Sequence, residues 1–119
     1  MIEISYDNVI NGLNKGIHMR LLVPTRQLGD YLFCRAVGLW HIPNFTQISH
    51  QNMEIIYGID KIQIQFRVFE AIHNSSWRGF HGIYMIHPNL KPKEMMPRFA
   101  KLYNELELHN ERYLDQWRA

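Results

Sequence analysis

Apolar and polar residues alternate without a break from Ile62 to Val68: Ile62, Ile64, Phe66 and Val68 against Gln63, Gln65 and Arg67. Side chains alternate across a strand, so a period of two predicts a half-buried strand here. His73-Asn74-Ser75-Ser76 follows, and the Asn and Ser side chains favour turns because they compete for backbone hydrogen bonds. Phe80 to Pro88 then reads as a returning strand. The pattern predicts an antiparallel hairpin over residues 61–87, with Phe66 opposite Ile86 and Val68 opposite Tyr84 on one apolar face. The other face mixes Phe69, Ile83 and Met85 with Arg67, His81 and His87. Either a helix covers half of that face and its polar groups form a rim, or the face binds something.

The period changes to three and four after Pro92. Met95, Phe99, Leu102, Leu106, His109, Tyr113 and Trp117 form one stripe, which predicts a long C-terminal helix over 92–117 lying on the even-numbered face of the hairpin. A second helix is predicted over 25–40 from Leu28, Tyr31, Leu32, Leu39 and Trp40, opened by Pro24 or Thr25 and stopped by Pro43. This helix puts Cys34 on its buried side. Short strands are expected at Ile2–Tyr6 and His18–Val23, with a brief helix capped by Asp7 or Asn8 between them. Thr46 to Tyr57 is read as a helix capped by Thr46 or Ser49 and ended by Gly58. The expected fold is α+β, a small antiparallel sheet centred on the hairpin and packed by the two helices, in one domain spanning 1–119.

With 46% apolar and 20% charged residues, the 119-residue chain is globular in composition. A single cysteine, Cys34, excludes an internal disulfide and a cysteine-rich zinc site, and makes the cytoplasm the default setting. The opening residues lack the basic start and apolar run of a signal peptide. No stretch approaches the ~20 apolar residues of a membrane helix. Net charge is +2, and the basic excess falls at Lys61, Arg67 and Arg78 against Glu70, well short of a nucleic-acid binder's basic stripe. Seven histidines would raise the charge on mild acidification.

Candidate chemistry is sparse. No histidine pair stands at helical ligand spacing, and His73 with His81 across the hairpin would lack a third ligand, so no metal and no cofactor are expected. Free cysteine is usually a small core residue, which argues against a nucleophilic Cys34. Gly79 and Gly82 lie in a strand pattern rather than before a helix, which marks a bulge or a close backbone approach rather than a phosphate loop. The most unusual stretch is Trp77-Arg78-Gly79-Phe80-His81-Gly82, with an aromatic, a guanidinium and an imidazole at one hairpin end. Trp and Arg dominate protein-binding hot spots. The plainer reading has Trp77 covering the core and Arg78 solvated.

The expectation is a small non-enzymatic interaction protein, of inhibitor, adaptor or immunity type, that binds another protein through Trp77, Arg78, His81, His73 and Arg67. A homodimer formed through an uncovered face or edge strand is a further form of it. The alternatives are a nucleic-acid-binding accessory protein and a small His/Arg-based hydrolase or phosphodiesterase with His81 as general acid–base.

Overall fold

The computed structural model describes residues 1–39, 44–72, 77–91 and 96–119, apart from the side chain of Leu39. The fold is α+β, and its six strands form one mixed sheet. In space they run β1 (Ile2–Glu3), β6 (Ile83–Ile86), β2 (Met19–Val23), β5 (Ile62–Val68), β4 (Glu54–Tyr57), β3 (Gln47–Ser49). The first four are mutually parallel, while β4 and β3 continue the sheet antiparallel.

The sheet is therefore not purely antiparallel, and the expected 61–87 hairpin is replaced by a crossover. Its two strands exist as β5 and β6, but they run parallel with β2 between them. The reason lies in β2. Met19, Leu21, Leu22 and Val23 are buried, so this strand needs cover on both faces, as the centre of a parallel sheet does. The register then places Leu21 between Phe66 and Met85, so even-numbered β5 residues share a face with odd-numbered β6 residues. Phe66 and Ile86 fall on opposite faces. The predicted turn at residues 73–76, His73 included, lies outside the described residues.

Two crossovers cover the two faces. The chain passes from β1 over β6 to β2 through helix α1 (Tyr6–Lys15). It returns from β5 over β2 to β6 through a short helix α3 (Phe69–Ile72) and a 3-10 turn (Trp77–Gly79). Parallel crossovers are right-handed, so opposite directions of travel put their connections on opposite faces. On the first face α1 and α2 (Arg26–Leu39) cover Met19, Leu21, Ile64, Phe66 and Met85. On the second, helix α4 (Pro97–Glu111) brings Leu102 and Leu106 onto Leu22, Tyr84 and Ile86.

Local sequence explains the helix ends. Ser5 Oγ accepts from the Asn8 N–H at 3.1 Å and caps α1, two residues before the expected cap. Thr25 Oγ1 accepts from the Leu28 N–H at 3.2 Å and opens α2 as predicted. Residues 40 and 92–95, at the margins of two expected helices, are outside the described set. The C-terminal stripe forms two helices rather than one, α4 and α5 (Leu114–Arg118), parted at Arg112–Tyr113. Leu102, Leu106 and His109 belong to the second face, whereas Tyr113 and Trp117 pack on the first core. The break lets one apolar stripe serve both faces, and the Lys15 ammonium donates to the Trp117 carbonyl to tie α5 to α1.

Two further expectations are corrected. Residues 46–57 form the β3–β4 hairpin, not a helix. Ser49 Oγ does accept from the Asn52 N–H at 3.3 Å, but it closes a turn. Ile55 and Tyr57 are buried at a spacing of two, and pairing with β5 satisfies their backbone. Cys34 is exposed, because Phe33 and Ala36 take the buried side of α2.

Candidate anion-binding cleft

Helix α4 covers only part of the second face. That core takes no side chain from β3, β4 or β5. What remains there is a polar lattice fixed by register. Arg20 on β2 lies beside Gln65 on β5, Gln65 beside Glu54 on β4, and Arg67 stands diagonal to Arg20. All four side chains are half-buried.

At the inner edge of this lattice is a cleft of about 320 Å³ lined by His18, Arg20, Gln63, Gly79, Phe80 and His81. Arg20 is held in place rather than solvated. Its Nη1 donates to Tyr84 Oη at 3.1 Å, and its guanidinium carbon lies 4.4 Å from the Phe80 ring centroid. Tyr84 Oη in turn donates to the Trp77 carbonyl at 2.9 Å. Arg20 Nε is buried with no hydrogen-bond partner. Among the described residues neither Arg20 nor Arg67 forms an ion pair. Burial holds Arg67 below its ordinary pKa, Arg20 lowers it further, and Glu54 opposes the shift. Two neighbouring cations thus lie partly desolvated. Glu54, whose charge acts on Arg67, also accepts from Gln63 Nε2 at 2.5 Å.

The histidines of the cleft are fixed by backbone and tyrosine. His18 Nδ1 accepts from the Gln63 N–H at 3.1 Å, which leaves Nε2 as the nitrogen that can donate. His81 Nδ1 stands 3.3 Å from Tyr113 Oη. Gly82 lets the two segments meet, since a Cβ there would overlap the His18 carbonyl oxygen and Cβ. The close approach expected from the glycines is real at this position. Behind it, His109 Nε2 donates to the Gly82 carbonyl at 3.0 Å within a cage of Trp77, Phe80, Tyr84 and Tyr113 rings.

The structure divides the predicted site residues. His81 lines the cleft, and Arg67 lies on the adjoining open sheet. Trp77 packs against the second core and Arg78 is exposed, pairing with Glu105 at 3.8 Å. These two line a separate depression with Leu108, His109 and Arg112. His73 lies outside the described residues. Sequence reasoning missed Arg20, His18 and Gln63. The available signal was Arg20 itself, a charge within the apolar run Met19–Val23.

Among the described residues no cluster of histidine, cysteine and carboxylate side chains could hold a metal ion. No described helix is long and apolar enough to cross a membrane. Compared with known proteins, the chain matches no family model, no curated protein and no solved structure.

Proposed function

We propose that this chain is a non-enzymatic interaction protein that binds an acidic segment of another protein across the open half of its sheet. One observation carries the reading: Arg20 and Arg67 stand diagonal to each other on adjacent strands, partly buried, with no ion pair among the described residues. Partly desolvated like charges are costly until an anion reaches them. Carboxylates of a partner would supply charge-assisted hydrogen bonds, and Gln63 and Gln65 would fix orientation. A protein partner fits better than single-stranded nucleic acid, because base stacking needs exposed rings. Phe80 is buried and Trp77 is drawn into the core. A reducing compartment such as the cytoplasm belongs to the same proposal, since the single cysteine is exposed.

The test is fluorescence anisotropy with a glutamate-rich peptide, with an oligothymidylate of equal charge in parallel. The peptide is expected to bind. Arg20→Met and Arg67→Gln should each weaken it at least about tenfold, while the melting temperature holds or rises as a desolvated charge is removed. Tighter binding of the oligonucleotide would transfer the site to nucleic acid, and concentration-dependent self-association lost in Arg20→Met would transfer it to a homodimer. Binding of neither probe would end the reading.

A second reading rests on His18 and His81 lining one cleft with Arg20. Two imidazoles beside a guanidinium could serve as base, acid and anion clamp in phosphodiester cleavage. A fluorogenic dinucleotide tests it: turnover lost in both His18→Gln and His81→Gln supports it, and no turnover removes it.

A further inference from the structure

A larger cavity, of about 530 Å³, opens on the opposite side of the sheet, away from the cleft. It lies between the first turn of α1, the second half of α2 and the carboxyl ends of β1 and β6, and Phe66 of β5 forms part of its wall. Ligands of parallel sheets bind outside the carboxyl ends of the strands. The volume is within the range of about 300–1,000 Å³ usual for small-molecule sites.

Its walls are apolar: Ile4, Val9, Leu32, Ala36 and Phe66. Two basic side chains, Arg35 and His87, complete it alongside Ser5 and Tyr6, and among the described residues no carboxylate lines it. Arg35 is exposed and in no ion pair among the described residues, its Nη1 standing 3.5 Å from Tyr31 Oη. His87 is oriented from behind. The Asn89 N–H donates to His87 Nδ1 at 3.1 Å, which makes Nε2 the donating nitrogen. Burial pushes the His87 pKa down, so the ring is a neutral donor near pH 7.

We propose that this cavity binds a small carboxylic acid with an apolar body, its carboxylate at Arg35 and His87 and its body against Phe66, Leu32 and Val9. A planar guanidinium matches a carboxylate in geometry and charge. An amine would meet Arg35 with no carboxylate among the described lining residues to offset it, and a wholly apolar molecule would leave the guanidinium without a counter-ion. The proposal is independent of the acidic-partner reading, since the two sites share no residue.

The test uses 2-naphthaleneacetate and its neutral amide, titrated into the isotope-labelled protein and followed by amide chemical shifts. The acid should shift Val9, Leu32, Ala36 and His87 and bind at least tenfold more tightly than the amide. Arg35→Gln should bring the acid down to the affinity of the amide and leave the amide unchanged. Ala36→Phe, which fills the cavity, should remove both. Arg35 is exposed, so its variant stays informative even where Ala36→Phe fails to fold. Equal affinity of acid and amide, retention of acid binding in Arg35→Gln, shifts that map elsewhere, or no saturable binding of the acid would overturn the proposal.

Discussion

Asn110 does in one side chain what a strand would do. β1 pairs with β6 only from Ile2 opposite Met85 onward, so the β6 backbone at Tyr84 extends beyond the reach of β1. Asn110 Oδ1 accepts from the Tyr84 N–H at 2.8 Å, and Nδ2 donates to the Tyr84 carbonyl at 2.8 Å. Its amide thus mimics a peptide group at a place only 3% exposed to solvent. Asn110→Ala should leave a buried donor and acceptor unpaired and lower stability by about 2–6 kcal/mol, at ~1–3 kcal/mol per orphaned group. Urea denaturation checks this, and a midpoint within experimental error of the wild type would show that water replaces the amide without loss. Arg20 makes the complementary case on the same face. Asn110 satisfies every group it meets, while Arg20 Nε is left buried with no partner. A group of the first kind builds the fold, whereas one of the second kind costs the fold its desolvation without return.

At the scale of elements, the β4–β5 turn concentrates backbone strain in four residues. Gly58 has φ +78° and Lys61 has φ +52°, both left-handed. Only the glycine tolerates this freely, because a Cβ in that region costs roughly 1–2 kcal/mol. Nothing lies within 4 Å of a Cβ built on Gly58, so Gly58→Ala should report backbone strain alone, a loss of about 1 kcal/mol. Lys61→Gly should shift stability by up to about 1 kcal/mol the other way. Thermal denaturation of the two variants checks both signs, and a stabilising Gly58→Ala would refute the argument. Gly58 marked this boundary in the sequence, but as the end of a helix over Thr46–Tyr57. Buried β-branched and aromatic side chains at Ile55 and Tyr57 fit either period over so short a run, and the pairing with β5 that decides between them is not written locally. Helix α2, β2 and the existence of β5 and β6 were legible, because each carries its own local signal, a period in α2 and β5 and an apolar run in β2 and β6. The 61–87 hairpin was not, because adjacency in sequence does not dictate adjacency in space. The burial of β2 on both faces, visible as the run Met19–Val23, was the clue to a strand in between. The candidate site was legible at His81 and Arg67 and illegible at His18, Arg20 and Gln63, which only the parallel register brings beside them.

Across the whole molecule the two faces of the sheet are covered unequally, and the half-covered face also houses the buried histidine. His109 is 8% exposed under the cleft, and burial holds it below its ordinary pKa. Arg112, His81 and Arg20 lower it further, and the hydrogen bond to the Gly82 carbonyl opposes them. His87, on the other face, is lowered by burial as well. A depressed folded-state pKa means that the unfolded chain takes up protons first as pH falls. The stabilising effect of keeping these rings neutral is therefore fully present above the unfolded value of about 6.5 and is lost as pH drops below it toward the folded values. The melting temperature is expected to hold between about pH 8 and 7 and to fall as pH drops below about 6.5. His109→Gln retains a side-chain N–H for the Gly82 carbonyl but cannot take up the proton, so it should shrink that fall. His87→Gln should shrink it separately, since the two rings lie on opposite faces and share no partner. An acid-induced fall of undiminished size in the double variant would move the titration to other groups and free the Gly82 segment, and the cleft it closes, from any dependence on His109.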